Sequence, residues 1–169
     1  MKKIFLLLSI VSVFGLTGCN NDDDRVDSDT IGRTIDKTVS LVYNANTLKY
    51  NNLLILDSPM FDSDVVLVYR KTTDDEGFTV FQQIPRTLYL ANGQELDYDF
   101  NFTANDILLT ADANFDLSTA PQFTQNQTYR IVLVPSDFAA NLSNNDYDTV
   151  MSAIKEANNG VPTQIKTIK

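Results

Sequence analysis

The chain has 169 residues, a formal charge of −9, no histidine, no tryptophan and a single cysteine. Acidic balance argues against nucleic acid, whose phosphates need a basic face, and against an electrostatic grip on anionic headgroups. Without histidine there is no Ser-His-Asp or Cys-His site, and one thiol makes neither an intrachain disulfide nor a dithiol redox centre.

The first element is a signal. Lys2 and Lys3 precede an apolar run from Ile4 to Leu16, and the small polar residues Thr17 and Gly18 follow. This is the layout of a secretory leader, and the run is shorter than the roughly 20 residues that span a bilayer. The tetrapeptide LTGC at 16–19 resembles the lipobox of bacterial lipoproteins, in which the cysteine is acylated and the chain is cut just before it. That resemblance implies that residues 1–18 are removed and that Cys19 carries lipid, which also gives the only thiol its role. Two acyl chains would hold stably where one is marginal, at about 0.8 kcal/mol per buried methylene.

Residues 20–30 read NNDDDRVDSDT, with Val26 the one apolar residue, so the segment cannot bury enough surface to offset its ordering entropy. It is expected to be a tether of residues 19–30, reaching at most roughly 35 to 40 Å at about 3.3 to 3.6 Å per residue. The cluster Asp22 to Asp24 is similar to the acidic export signals of surface-exposed lipoproteins in Bacteroidota. Thr30, in Asp29-Thr30-Ile31, is similar to the Asp-Ser/Thr-apolar sites that those bacteria O-glycosylate; Thr149 stands in a second such tripeptide.

Past Thr30, short apolar segments separated by turn residues predict an antiparallel β-sandwich, immunoglobulin-like or jelly-roll-like in arrangement, over 31–160. Strands are expected at Val39–Tyr43, Leu53–Leu56, Val65–Arg70, Phe78–Ile84, Thr87–Leu90, Glu95–Thr103, Ile107–Thr110 and Tyr129–Val134. The DDEG at 74–77 and Asn92-Gly93 mark two hairpin turns. Leu96, Tyr98, Phe100 and Phe102 alternate with Asp97, Asp99, Asn101 and Thr103, a strand with one wet face. Val65–Val68 and Ile131–Val134 are almost unbroken apolar runs, expected to be covered on both faces.

The segment DANFD at 112–116 has the D-x-N-x-D spacing of a calcium loop, which makes Asp112, Asn114 and Asp116 candidate oxygen ligands. Leu117 stands where such a loop wants glycine, and Phe123 where it wants glutamate. Asp62 with Asp64 is a second candidate of the same kind. Asp97 and Asp99 would share a strand face, as the paired carboxylates of a glycan hydrolase could. Tyr43, Tyr50, Tyr69, Tyr89 and Tyr98 are candidates for a sugar-binding face.

A helix is predicted near 145–157 because Tyr147, Val150, Met151 and Ile154 fall at i, i+3, i+4 and i+7. Asn144 or Asn145 suits its cap, Asp146 and Asp148 its first turn, Lys155 its last, and Gly160 with Pro162 its end. It is expected to dock on the edge or end of a sheet. Residues 161–169 read as a tail.

Taken together, DSDVVLVYR (62–70), DYDFNFTANDILL (97–109), LSTAPQFTQNQTYRIVLVPSDFAA (117–140) and DYDTVMSAI (146–154) resemble an uncharacterised lipoprotein family of Bacteroidota. Some members are collagen-like, with Gly-X-Y repeats between lipobox and domain, where this chain has only its acidic tether. Some carry a dihydrolipoamide dehydrogenase label, for which this chain has neither the glycine-rich turn nor the cysteines. The resemblance implies an outer-membrane, surface-exposed address and no established activity. The expectation is a non-enzymatic lipoprotein that meets the membrane through Cys19 and an unknown protein or glycan partner through its domain, needing no cofactor. Calcium or carbohydrate binding and a carboxylate-based hydrolase are the alternatives.

Overall fold

A computed structural model describes residues 31–168; Cys19, the leader, the tether and Thr30 lie outside them. Two five-stranded sheets face one another. The first runs β10-β1-β9-β4-β5 and the second β2-β3-β8-β7-β6. The strands are β1 (Arg33–Val39), β2 (Val42–Asn44), β3 (Lys49–Ile55), β4 (Asp64–Thr73), β5 (Thr79–Ile84), β6 (Arg86–Tyr89), β7 (Glu95–Phe102), β8 (Asp106–Ala113), β9 (Gln127–Pro135) and β10 (Ile165–Ile168). The helices are α1 (Ser136–Ala140) and α2 (Tyr147–Ala157). The β-sandwich read from the alternation is therefore the observed fold.

Between the sheets lies the larger core, built from Ile35, Val66, Val68, Leu96, Tyr98, Ile107, Leu109, Tyr129 and Ile131 among others. Period-two side chains explain it: in β7, Leu96 and Tyr98 point in while Asp97 and Asp99 point to solvent. β4 and β9 differ because both of their faces are covered. Val66 and Val68 join the inter-sheet core, whereas Leu67, Tyr69, Val132 and Val134 form a second cluster with Val150 and Ile154 of α2. This is the double coverage that the unbroken apolar runs predicted.

The helix thus docks on the outer face of the first sheet and not at its edge or end. Its docking is pinned by polar contacts. On that face, the Arg130 guanidinium makes a two-pronged ion pair with Asp36, Nε to Oδ1 at 2.7 Å and Nη2 to Oδ2 at 2.8 Å. Nη1 donates to the Tyr147 hydroxyl, and the guanidinium lies 4.6 Å from the centre of the Phe81 ring, which itself stacks on Tyr147. The Tyr69 hydroxyl donates to the Asn145 carbonyl at 2.8 Å, and burial pushes its pKa up. Asp146, not Asn144 or Asn145, caps the helix, accepting from the Thr149 N–H at 2.9 Å; Asn144 accepts from the Asp146 N–H instead. That leaves Asp146 below the usual carboxylate range, chiefly through the Thr149 N–H.

Two segments differ from the sequence expectation. Val39–Tyr43 is not one strand, because Ser40 and Leu41 carry the chain from the first sheet to the second. Leu41 is buried there, and its N–H donates to the Thr124 carbonyl at 2.8 Å. The 161–169 segment contributes β10, which pairs in parallel with β1 from Thr34↔Ile165 to Lys37↔Ile168. Four residues leave too little alternation to announce a strand, and the pairing is with the far end of the sequence.

The two ends of the sandwich are distinct. At one, Ile31 leads into β1 beside the β3–β4 loop, where the Met60 N–H donates to the Ala104 carbonyl. At the other sit the 74–77 hairpin turn, the 91–93 turn, the 45–48 turn and the long 114–126 crossover from β8 to β9. The first is the entry end and the second the distal end.

Gly32 ties the entry to α2. Its φ is +86°, and a Cβ there would sit 2.9 Å from Cδ1 of the fully buried Ile154. Gly77 has a similar φ with nothing near. Gly32→Ala is expected to cost about 2–4 kcal/mol, combining a left-handed alanine with overpacking, and Gly77→Ala only about 1–2 kcal/mol. Urea denaturation measures both, and equal losses would contradict the packing at Ile154.

Candidate functional site

The distal end holds a cleft of about 380 Å³ that joins aromatic, apolar and acidic side chains. Its geometry follows from one row of cross-strand neighbours. Tyr43 of β2 pairs with Tyr50 of β3, Tyr50 with Ala111 of β8, and Ala111 with Tyr98 of β7. Tyr98 is buried, and Tyr43, at the sheet edge, is 51% exposed. The other inward positions of β8 are the large residues Ile107 and Leu109, but Ala111 and Ala113 replace them at the distal end. Two short side chains in succession leave the floor of the cleft recessed.

Tyr43 and Tyr50 form one wall, with ring centres 5.5 Å apart and planes inclined by 58°. Phe115 and Leu117 form the other, Leu117 buried in the core and Phe115 edge-on to Phe123. The rim carries Leu48, Asp116 and Ser118, while Asp112, between Ala111 and Ala113, turns its carboxylate to the outer face of β8. Asp116 caps the short turn that begins at Leu117, its Oδ1 accepting from the Ser118 N–H at 2.9 Å. Hydrogen bonds from the Ser118 side chain and backbone hold its carboxyl below the usual carboxylate range.

The sequence candidates distribute as follows. Asp112 is not in a loop at all: β8 runs on through Ala113, and the Asp112 carboxylate lies 3.4 Å from the Lys49 ammonium. Asn114 bridges two chain segments, accepting from the Glu95 N–H and donating to the Gly93 carbonyl. The D-x-N-x-D run therefore works as a strand end, a tie and a cap. Asp64 accepts from the Phe61 N–H in a turn of its own. Among the described residues, no three acidic, histidine or cysteine side chains group closely enough to hold a metal ion.

Asp97 and Asp99 do share the outer face of β7, in an open depression with Asp112, Lys49, Arg86 and Thr87. Both are exposed; Asp97 accepts from the Thr87 hydroxyl at 2.5 Å and Asp99 from the Phe100 N–H. Of the five tyrosines, Tyr43 and Tyr50 reach the cleft. Tyr69 and Tyr98 are core, the latter pushed up to about 12 by burial, and Tyr89 is exposed on β6. Thr149 donates its hydroxyl to its own helix cap.

Beneath the distal end, Arg70 carries more than the strand end that the sequence predicts. Arg70 points into the sandwich, where Nε donates to Gln127 Oε1 at 2.9 Å, Nη1 to Gln82 Oε1 at 3.3 Å, and the guanidinium lies 4.7 Å from the Tyr98 ring centre. Gln127 in turn donates to the Gln122 and Gln125 carbonyls, so this cluster fastens the 114–126 crossover to the first sheet. The signal was present as an arginine ending the apolar run VVLVY on the inward-facing parity. Compared with known proteins, the two-sheet sandwich matches no family model, no curated protein and no solved structure.

The Asp116 cap gives a pH signature. Its folded pKa lies below the ordinary 3.8, so its contribution to stability is complete above that value and is lost as pH falls through the folded value. The stability difference between wild type and Asp116→Asn should therefore be level from about pH 5 to 8 and shrink below about pH 4. Urea midpoints across that range check it; a difference undiminished in strong acid would contradict the cap.

Proposed function

We propose that the chain is a non-enzymatic lipoprotein of the cell envelope, anchored in the outer membrane through acyl chains on Cys19 and surface-exposed, with the β-sandwich serving as an interaction module. The observation that carries this is LTGC at 16–19 after a short apolar leader, with Cys19 the one cysteine of the chain. Support also comes from polarity within the domain: Ile31, the residue nearest the tether, lies at the entry end, and the tyrosine cleft lies at the distal end. A tether there would leave the cleft facing away from the lipid. The exposed aspartates of β7 favour the non-enzymatic reading, because a glycan hydrolase needs one carboxyl kept protonated by burial.

Cys19→Ala should move the protein from the membrane pellet to the soluble fraction, while native protein should show the polypeptide from residue 19 plus acyl mass. Retention of the variant in the membrane, or an unacylated native mass, would overturn the anchor. An impermeant amine-reactive label on intact cells should reach the domain; labelling only after the outer membrane is broken would place it on the periplasmic side.

A further inference from the structure

We propose that the distal cleft is a binding site for a neutral saccharide, one or two pyranose rings lying against Tyr43 and Tyr50 with their hydroxyls donating to Asp116. The inference deepens the reading above and rests on the distal end being the presented end. Its binding chemistry is independent of the anchor.

Shape comes first. The cleft lies at the low end of the roughly 300–1,000 Å³ typical of small-molecule sites, and its floor is recessed only because Ala111 and Ala113 interrupt a line of large side chains. A flat sugar ring has an apolar C–H face and a rim of hydroxyls. The tilted Tyr43–Tyr50 wall offers aromatic surface to the first, and the Asp116 carboxylate, already oriented by Ser118, offers a charged acceptor to the second.

Charge narrows the class. Asp112 is turned to the outer face of β8 and lies against Lys49, so the charge presented to the cleft is the Asp116 carboxylate, which disfavours sulfated, phosphorylated or uronic sugars. Peptide capture by strand addition is poorly served here, because the edge strand β2 offers only three residues.

Strain supplies an independent observation. Leu48, on the rim, is held at φ +57° and is 69% exposed. Its N–H donates to the Asn44 carbonyl at 2.8 Å, and the Asn44 side chain accepts from the Asn46 N–H, so the turn enforces the conformation. Glycine or asparagine would hold that turn with less strain. This exposed apolar side chain, held in a costly conformation, lies at the cleft rim, where it extends the wall against a bound ring.

The test uses the whole chain in mild detergent, titrated by isothermal calorimetry with maltotetraose, cellotetraose, mannotetraose, xylotetraose and chitotetraose. At least one should bind with a Kd between about 10 μM and a few mM, as open, shallow sites do. Tyr43→Ala should weaken that binding at least about tenfold, and Ala113→Leu, which fills the floor, should abolish it. Leu48→Gly should also weaken binding while leaving the melting temperature level or raised, an outcome that a merely structural leucine would not give. No binding to any of the five at about 10 mM overturns the proposal, as does binding that Tyr43→Ala and Ala113→Leu leave unchanged. Loss of binding in an acylated chain would sink this inference alone; binding by a chain that is not acylated would support it while removing the anchor.

Discussion

At its centre, along β4 and β9, the first sheet has no wet face, and most of the molecule follows from that. β4 and β9 contribute alternate residues to two cores at once, one against the second sheet and one against α2. Full burial of an aliphatic side chain contributes about 1.5–3 kcal/mol, so Val150 and Ile154, both wholly enclosed, make the helix part of the fold and not an appendage. Arg130 is the hinge of that arrangement. It stands on the outward parity of β9 at the start of the apolar run Ile131–Val134, and its charge is tolerated there because Asp36 on the neighbouring strand neutralises it with two hydrogen bonds. Its pKa is raised above the ordinary arginine value, first by that hydrogen-bonded pairing with Asp36.

A rigid first sheet leaves the second free to be asymmetric. Its inner face completes the core, while its outer face carries exposed Asp97 and Asp99 and half-buried Asp112. At the distal end the second sheet outruns its cover. There the row Tyr43, Tyr50, Ala111, Tyr98 passes from solvent to core within four strands, and the 114–126 crossover closes the corner. Arg70 and its two glutamines fasten that crossover from beneath, so the cleft wall at Phe115 and Leu117 is built on the best-covered strands. Proposed lipid at one end and proposed recognition at the other are consistent with this polarity.

Local pattern carried much of the fold into the sequence. Alternation in 95–103 marked β7 and its wet face; the spacing of Tyr147, Val150, Met151 and Ile154 marked α2; Asn92-Gly93 marked its turn, with both residues at positive φ. What the pattern could not carry was partnership at a distance. The helix stripe says that a face is buried but not against what, and only the outward residues of β4 and β9 decide it. Leu41 reads as part of a strand because what holds it outside one, the hydrogen bond of its N–H to the Thr124 carbonyl, comes from over eighty residues away. The cleft was half legible. The aromatic residues and the aspartates were singled out separately, and only the pairing of β2, β3 and β8 brings Tyr43, Tyr50 and Asp116 to one place. At 112–116 the D-x-N-x-D run divides between two local roles, with Asp112 in β8 and Asp116 capping a turn.

Amide hydrogen exchange on the intact chain tests most directly whether the doubly covered sheet is the frame on which the distal cleft is built. β4 and β9 should exchange slowest, opening only with global unfolding, with α2 close behind and the 45–48 turn fastest. Slower exchange in β7 and β8 than in β9, or release of α2 long before the sheet, would contradict the account.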